Sequence, residues 1–165
     1  MKSQDFSSPV DVTPVAESPA MSHSLLATDD FAILTKPYLL VTHIPYYQGE
    51  NGAVWLDRGW HHDLTEHFSY LKDFLLCAPC LPKAGNLDLV RLNVPKTTRL
   101  RLFPLPPHTS RLRAFGMLPL ALIALWKAVG EAEIVHSTVG GWPYPPAWIA
   151  NPIAVLRRKR LLFVV

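Results

Sequence analysis

At 165 residues the chain is long enough for one domain with a real core and too short for two full ones. Its apolar fraction of 49% fits a globular protein, and two cysteines do not support a disulfide framework. Charge is uneven: Lys2 stands against Asp5, Asp11, Glu17, Asp29 and Asp30, a net of −4, so the overall +3 leaves +7 for residues 31–165. A basic body of that size favours anionic ligands or an anionic membrane surface over a neutral partner.

In chain order, residues 1–35 read as a disordered, acidic, Ser/Pro-rich tail, because they bury too little apolar surface to offset chain entropy. Lys2 is followed by no apolar core, so the layout is not that of a signal peptide. Tyr38–Ile44 then reads as a buried strand, and Gly49 and Gly52 mark a loop. Leu56, Trp60, Leu64, Phe68 and Leu71 follow at helical spacing, one apolar stripe of a helix whose other faces carry Asp57, His61 and Glu66. Strand, glycine loop and helix form the opening unit of a doubly wound α/β sheet, which binds ligands at the carboxyl ends of its strands.

Phe74–Ala78 predicts a second strand, stopped by Pro79 and Pro82. Leu87–Val94 and Thr98–Phe103 predict two more. A helix capped by Thr109 or Ser110 is expected to bury Leu112, Phe115, Leu118, Leu122, Trp126 and Val129, with Pro119 kinking or splitting it. Its most apolar run, Met117–Val129, is shorter than the roughly 20 residues that a bilayer-spanning helix needs. Glu133–Ser137 predicts a strand, and Pro146 opens a helix expected to run to about Arg160, interrupted by Pro152. Leu161–Val165 reads as a fully buried strand. A buried strand at that place points to a piece of a longer protein.

Four motifs carry chemistry. Cys77-Ala78-Pro79-Cys80 has the spacing of a thiol-redox pair, but Pro82 and Gly85 argue against the helix that would activate the first thiol. His61, His62 and His67 lie near Asp63 and Glu66, yet no two of these histidines are four apart, as a helical zinc pair requires. The glycine loop places Gly49 and Gly52 before a helix, where amides can receive an anion or a sugar hydroxyl; its spacing is not the Gly-x-Gly-x-x-Gly of dinucleotide-binding proteins. His136 leads into Gly140 and Gly141 at the same sheet edge, where a histidine can bond a ligand or hold a proton. The run Arg157–Arg160 lacks the interleaved aromatics that stack bases, and reads as a solvated helix end.

The strand, the Gly49/Gly52 loop, the helix to Leu71, the strand ending in Ala78-Pro79, the segment Glu133-Ile134-Val135-His136-Ser137 and the last strand together resemble the N-terminal domain of a GT-B glycosyltransferase. The group resembled is the large retaining family 4, glycosyltransferase group 1-like. The resemblance covers about residues 38–165. It implies a Rossmann-like, doubly wound, mainly parallel sheet over 36–165, the acceptor-side half of a hexosyltransferase using a nucleotide-sugar. It also implies that Gly49 and Gly52 lie against the donor phosphates and the acceptor, and that His136 contacts the transferred sugar beside Gly140 and Gly141. The loop reads Gly-Glu-Asn-Gly in place of adjacent glycines, and Thr138 stands where many members carry a second histidine. The paired-glutamate donor domain of the family is not in this sequence, so the expected domain is inactive alone. The partners implied are a nucleotide-sugar donor and a sugar or lipid acceptor. No cofactor, metal ion or nucleic acid is called for, and the expected location is cytoplasmic, with peripheral membrane contact. A non-catalytic binding module of the same fold and a Cys77/Cys80 redox protein are the rival readings.

Overall fold

The computed structural model of the protein describes residues 33–49, 52–82, 88–107, 110–138, 140 and 145–164. The expected tail, apart from its last three residues, lies outside them. The first described pairing is at Leu34, which forms a parallel bridge to Leu71. Strand β1 (Tyr38–Val41) follows with every residue buried.

Between β1 and the first helix the chain makes a hairpin that the sequence pattern did not predict. Its strands are β2 (Tyr46–Gln48) and β3 (Val54–Asp57), paired antiparallel. Helix α1 (Arg58–Tyr70) starts directly from β3, because the Asp57 carboxylate accepts a hydrogen bond from the Trp60 amide at 3.0 Å and caps the first turn. The predicted stripe residues Leu56, Trp60, Leu64, Phe68 and Leu71 are all buried, but Leu56 lies in β3 and Leu71 just past α1.

Strand β4 (Asp73–Pro82) runs through Pro79 and ends at Pro82, the second of the two expected stops. β5 (Leu89–Arg91) pairs antiparallel with β3, and β6 (Arg99–Leu105) pairs parallel with β4. Ser110 caps α2 (Arg111–Gly116), as its hydroxyl accepts from the Arg113 amide. Pro119 does split the predicted helix. Its ring cannot follow a continuous turn, so α3 (Leu118–Glu131) restarts with the proline in the first turn, where a missing amide costs nothing. β7 (Ile134–Thr138), α4 (Ala147–Leu156) and β8 (Arg160–Val164) complete the chain. The basic run therefore lies past α4 and not in its last turn: Arg158 takes a positive φ of 54° in the turn, and Arg160 begins β8.

The protein is a mixed α/β structure on an eight-stranded, mostly parallel sheet. Five parallel strands run in the order β6-β4-β1-β7-β8. Past the end of β1, the last residues of β4 pair with β2 instead, Tyr46 opposite Cys80, so the hairpin stands beyond the carboxyl edge of β1. Alternate residues of the central strands enter two cores. Leu40 and Leu76 pack with Trp60, Leu64 and Phe68 of α1. Leu39, Val41, Leu75 and Cys77 pack with Ala121, Leu125 and Ala128 of α3 and with Ala150 and Ala154 of α4.

Two packing expectations are overturned. On α2 and α3 the expected Val129 is buried, but Leu112, Phe115, Leu122 and Trp126 are exposed, and Ala121, Leu125 and Ala128 are buried in their place. The break at Met117 resets the helical phase, and the small alanines let α3 approach the sheet closely. β8 is not fully buried: it pairs with β7, and its Leu162 is 48% exposed.

Candidate functional site

The five parallel strands fix where a site can form. From β1 the chain passes outward through β4 to β6 on one side, then returns to β7 and β8 on the other. In open α/β sheets the loops leaving two such neighbouring strands diverge, and the crevice between them is where ligands bind. Buried Thr42 anchors one lip: its amide donates to the Cys77 carbonyl at 3.0 Å, and its hydroxyl accepts from the Ile44 amide at 3.2 Å. Exposed His43 follows it. On the other lip sits Gly140, where a methyl group would lie 3.2 Å from His43 Cε1. Hydrogen is the only substituent that leaves the His43 ring in place. Ser137 ties β7 to α4 through a hydrogen bond to Asn151 Oδ1 at 2.9 Å.

Below this edge, on the α1 side, lies a groove of about 240 Å³ lined by Leu40, Trp60, Asp63, Glu66, His67, His136 and Thr138. His136 is the third residue of β7 and pairs with Leu40 of β1. Its Nδ1 is 2.6 Å from the Tyr38 hydroxyl. Burial, helped by Tyr70, raises the Tyr38 pKa well above the usual phenol value, so the hydroxyl keeps its proton. Burial lowers the His136 pKa, with nearby His67 adding to the effect, so the ring is neutral at pH 7. Among the described residues Nδ1 is the one side-chain group bonded to the Tyr38 hydroxyl. Where the protonated phenol donates to Nδ1, the neutral ring carries its own proton on Nε2.

Among the described residues neither Nε2 nor Trp60 Nε1, both buried, has a hydrogen-bond partner. Each unpaired buried polar group costs on the order of 1–3 kcal/mol. The Trp60 indole and the His136 ring both line the groove, beside the apolar surface of Leu40. Two carboxylates, Asp63 and Glu66, stand above them on α1. Glu66 pairs with His62 at 3.2 Å, and His67 Nδ1 lies 2.7 Å from the Asp63 carbonyl. Buried donors, rim acceptors and an apolar wall suit a small polyhydroxylated ligand, whose hydroxyls both accept and donate.

Of the sequence-predicted residues, His136 lies in this groove, inside β7 and not after it. Gly140 lies at the crevice lip, and Gly141 is outside the described residues. Gly49 and Gly52 are elsewhere: they form the β2–β3 turn, with Gly52 at φ 74°. The Gly49 amide donates to the Ala53 carbonyl and the Gly52 amide to the Gly49 carbonyl, both at 2.9 Å. Both amides are used within the turn, and β3 separates them from α1, so they do not form a helix N-terminal cradle.

The cysteines occupy positions three apart on one strand, hence opposite faces, with Cα atoms about 10 Å apart by strand rise. That exceeds disulfide reach. Burial also pushes the Cys77 thiol pKa up. The geometry weighs against a redox pair.

The sequence pattern does not single out as site residues the groove residues Trp60, His67 and Thr138, the Tyr38 that meets His136, or the lip residue His43. Tyr38 and Trp60 were counted only as core, Thr138 only as a departure, and His67 only as a metal candidate. His43 was placed inside the strand; its signal was the polar pair Thr-His directly after four apolar residues. No family model, no curated protein and no solved structure matches the chain.

Proposed function

We propose that residues 36–165 form the acceptor-side domain of a GT-B glycosyltransferase, a doubly wound Rossmann-like domain that holds a sugar acceptor while a hexosyl group arrives from a nucleotide-sugar. The observation that carries the reading is the pair of ring nitrogens Trp60 Nε1 and His136 Nε2, buried and without a partner among the described residues, on side chains that line a groove with Asp63 and Glu66. The strand order β6-β4-β1-β7-β8 supports it, because the order reverses at β1, where such sheets bind ligands.

On this reading Trp60 Nε1 and His136 Nε2 donate to two hydroxyl oxygens of the sugar, and Asp63 accepts from a third. The indole presents its face to the apolar C–H side of the ring. Tyr38 holds the His136 tautomer and so acts as a positioning residue. His136 is neutral and therefore binds by donating a hydrogen bond; it does not act as a strong acid. The crevice at His43 and Gly140 faces the donor, and a donor-holding domain would complete the cleft, since transfer needs both substrates in one place.

Titration calorimetry of the protein against a panel of hexoses and nucleotide-sugars tests this. One hexose configuration should bind, and His136→Ala should weaken it by about tenfold, the loss of one good hydrogen bond in a dry site. Absence of binding by any member of the panel would replace the reading with that of a non-catalytic module.

A further inference from the structure

The two helical layers of the sheet have opposite outer faces. On α1 the outward residues include Arg58, His61, His62, Asp63 and Glu66, an ordinary wet surface. On the other layer the outward residues are apolar. Leu112 and Phe115 of α2 are 87% and 62% exposed, and Leu120, Leu122, Ile123 and Trp126 of α3 are all exposed. α3 buries Ala121, Leu125, Ala128 and Val129 on its inner side, so it is apolar all round except at Lys127 and at its last residue, Glu131, which pairs with Arg101. Helices of that kind are covered in their working state. α4 beside it carries no charged residue and exposes Trp148, Val155 and Leu156. A groove of about 450 Å³, walled by Phe103–Pro107 and by Leu120, Ile123 and Lys127, continues the apolar surface toward β6.

Charge decides what covers it. Between Asp88 and Glu131 the sequence holds seven basic residues and no acidic one. On the face itself Arg113 and Lys127 are exposed, with no carboxylate partner among the described residues, and Arg157 stacks over the Trp126 ring at 4.1 Å. Two copies of this chain joined through such a face would set like charges against each other. A layer of anionic lipid supplies the opposite charge and an apolar interior together. α3 has 14 residues, about 21 Å, against a hydrocarbon core of about 30 Å. Among the described residues no helix is long and apolar enough to cross a membrane. The helices would therefore lie in the interface, with aromatic and leucine side chains inserted and basic groups at the headgroups.

We propose that the outer face of α2, α3 and α4 seats the protein on an anionic membrane surface, with Leu112, Phe115, Leu120 and Trp126 entering the lipid and Arg113 and Lys127 meeting its phosphates. The inference rests on the helical layer alone and stands whether or not the groove binds a sugar.

The test is co-sedimentation of the full chain with vesicles of phosphatidylcholine alone or mixed with phosphatidylglycerol. Binding is expected to the mixed vesicles, to weaken as salt rises, and to fall by about tenfold in Phe115→Asp/Leu120→Asp and in Arg113→Glu/Lys127→Glu. The thermal midpoint should stay unchanged, because all four side chains are exposed. Failure to sediment with the mixed vesicles at low ionic strength overturns the proposal. So does a dimer in solution that Phe115→Asp/Leu120→Asp dissociates, since a second copy would then be the occupant. Hexose calorimetry on the same variants should match the parent, which keeps the two proposals separable.

Discussion

The Tyr38 hydroxyl lies 2.6 Å from His136 Nδ1, joining two adjacent strands of the sheet across 98 residues of sequence. Burial stops Tyr38 losing its proton and stops His136 gaining one, so the pair has one arrangement at neutral pH. In Tyr38→Phe the Nδ1 site loses its donor and both imidazole tautomers become populated. Nitrogen NMR of labelled histidine should show a single Nε2–H form in the parent and a mixture in the variant. The lost bond should cost about 1 kcal/mol of stability.

The same histidine sets a pH dependence. Its folded pKa lies below the ordinary 6.5 because burial and His67 disfavour the charged ring. Its contribution to stability is present above the unfolded value. It is lost as pH falls from there through the lowered folded value, because the unfolded chain takes up the proton first. Urea midpoints of the parent and of His136→Gln, compared at pH 7.5 and at pH 5, should show the parent losing more stability on acidification than the variant.

At the crevice lip, a Gly140→Ala side chain meets His43 Cε1 at 3.2 Å and displaces the ring. His43 is exposed and can move, so thermal stability should change by less than about 1 kcal/mol. If the crevice faces the donor, nucleotide-sugar affinity should fall in Gly140→Ala and be unaffected by that change in a His43→Ala background. A double-mutant cycle by calorimetry reads the coupling.

The phase of α3 is testable by truncation. Leu125 is 1% exposed and Leu122 is 43% exposed. Leu125→Ala should cost about 2–5 kcal/mol in chemical denaturation and Leu122→Ala less than about 1 kcal/mol. A larger cost for Leu122→Ala than for Leu125→Ala would mean that the helix sits the other way round.

Legibility followed physics, element by element. The α1 stripe was readable because Leu56, Trp60, Leu64, Phe68 and Leu71 are large and the opposite face is charged. The central strands were readable as apolar runs bounded by proline and charge. The face of α3 was not, since both of its sides are apolar; alanines at Ala121 and Ala128, and not the leucines, mark the side that meets the sheet. The β2–β3 hairpin was hidden because Leu56 continues the helical period into the strand that precedes α1. His136 could be singled out from sequence, but its partners could not. Tyr38 and His136 meet only through strand pairing, and Trp60 joins them only because α1 lies beside β7. A one-dimensional pattern carries no cross-strand register of that kind.

The central claim is that Trp60 Nε1 and His136 Nε2 hold sugar hydroxyls in the groove beside α1. It is tested most directly by the indole N–H resonance of Trp60 in a ¹⁵N-labelled sample, assigned through Trp60→Phe, during titration with the hexose panel. The account predicts that this resonance moves downfield and saturates with one hexose, as a bare buried N–H acquires an acceptor. A Trp60 indole signal unmoved by every hexose and nucleotide-sugar would contradict it.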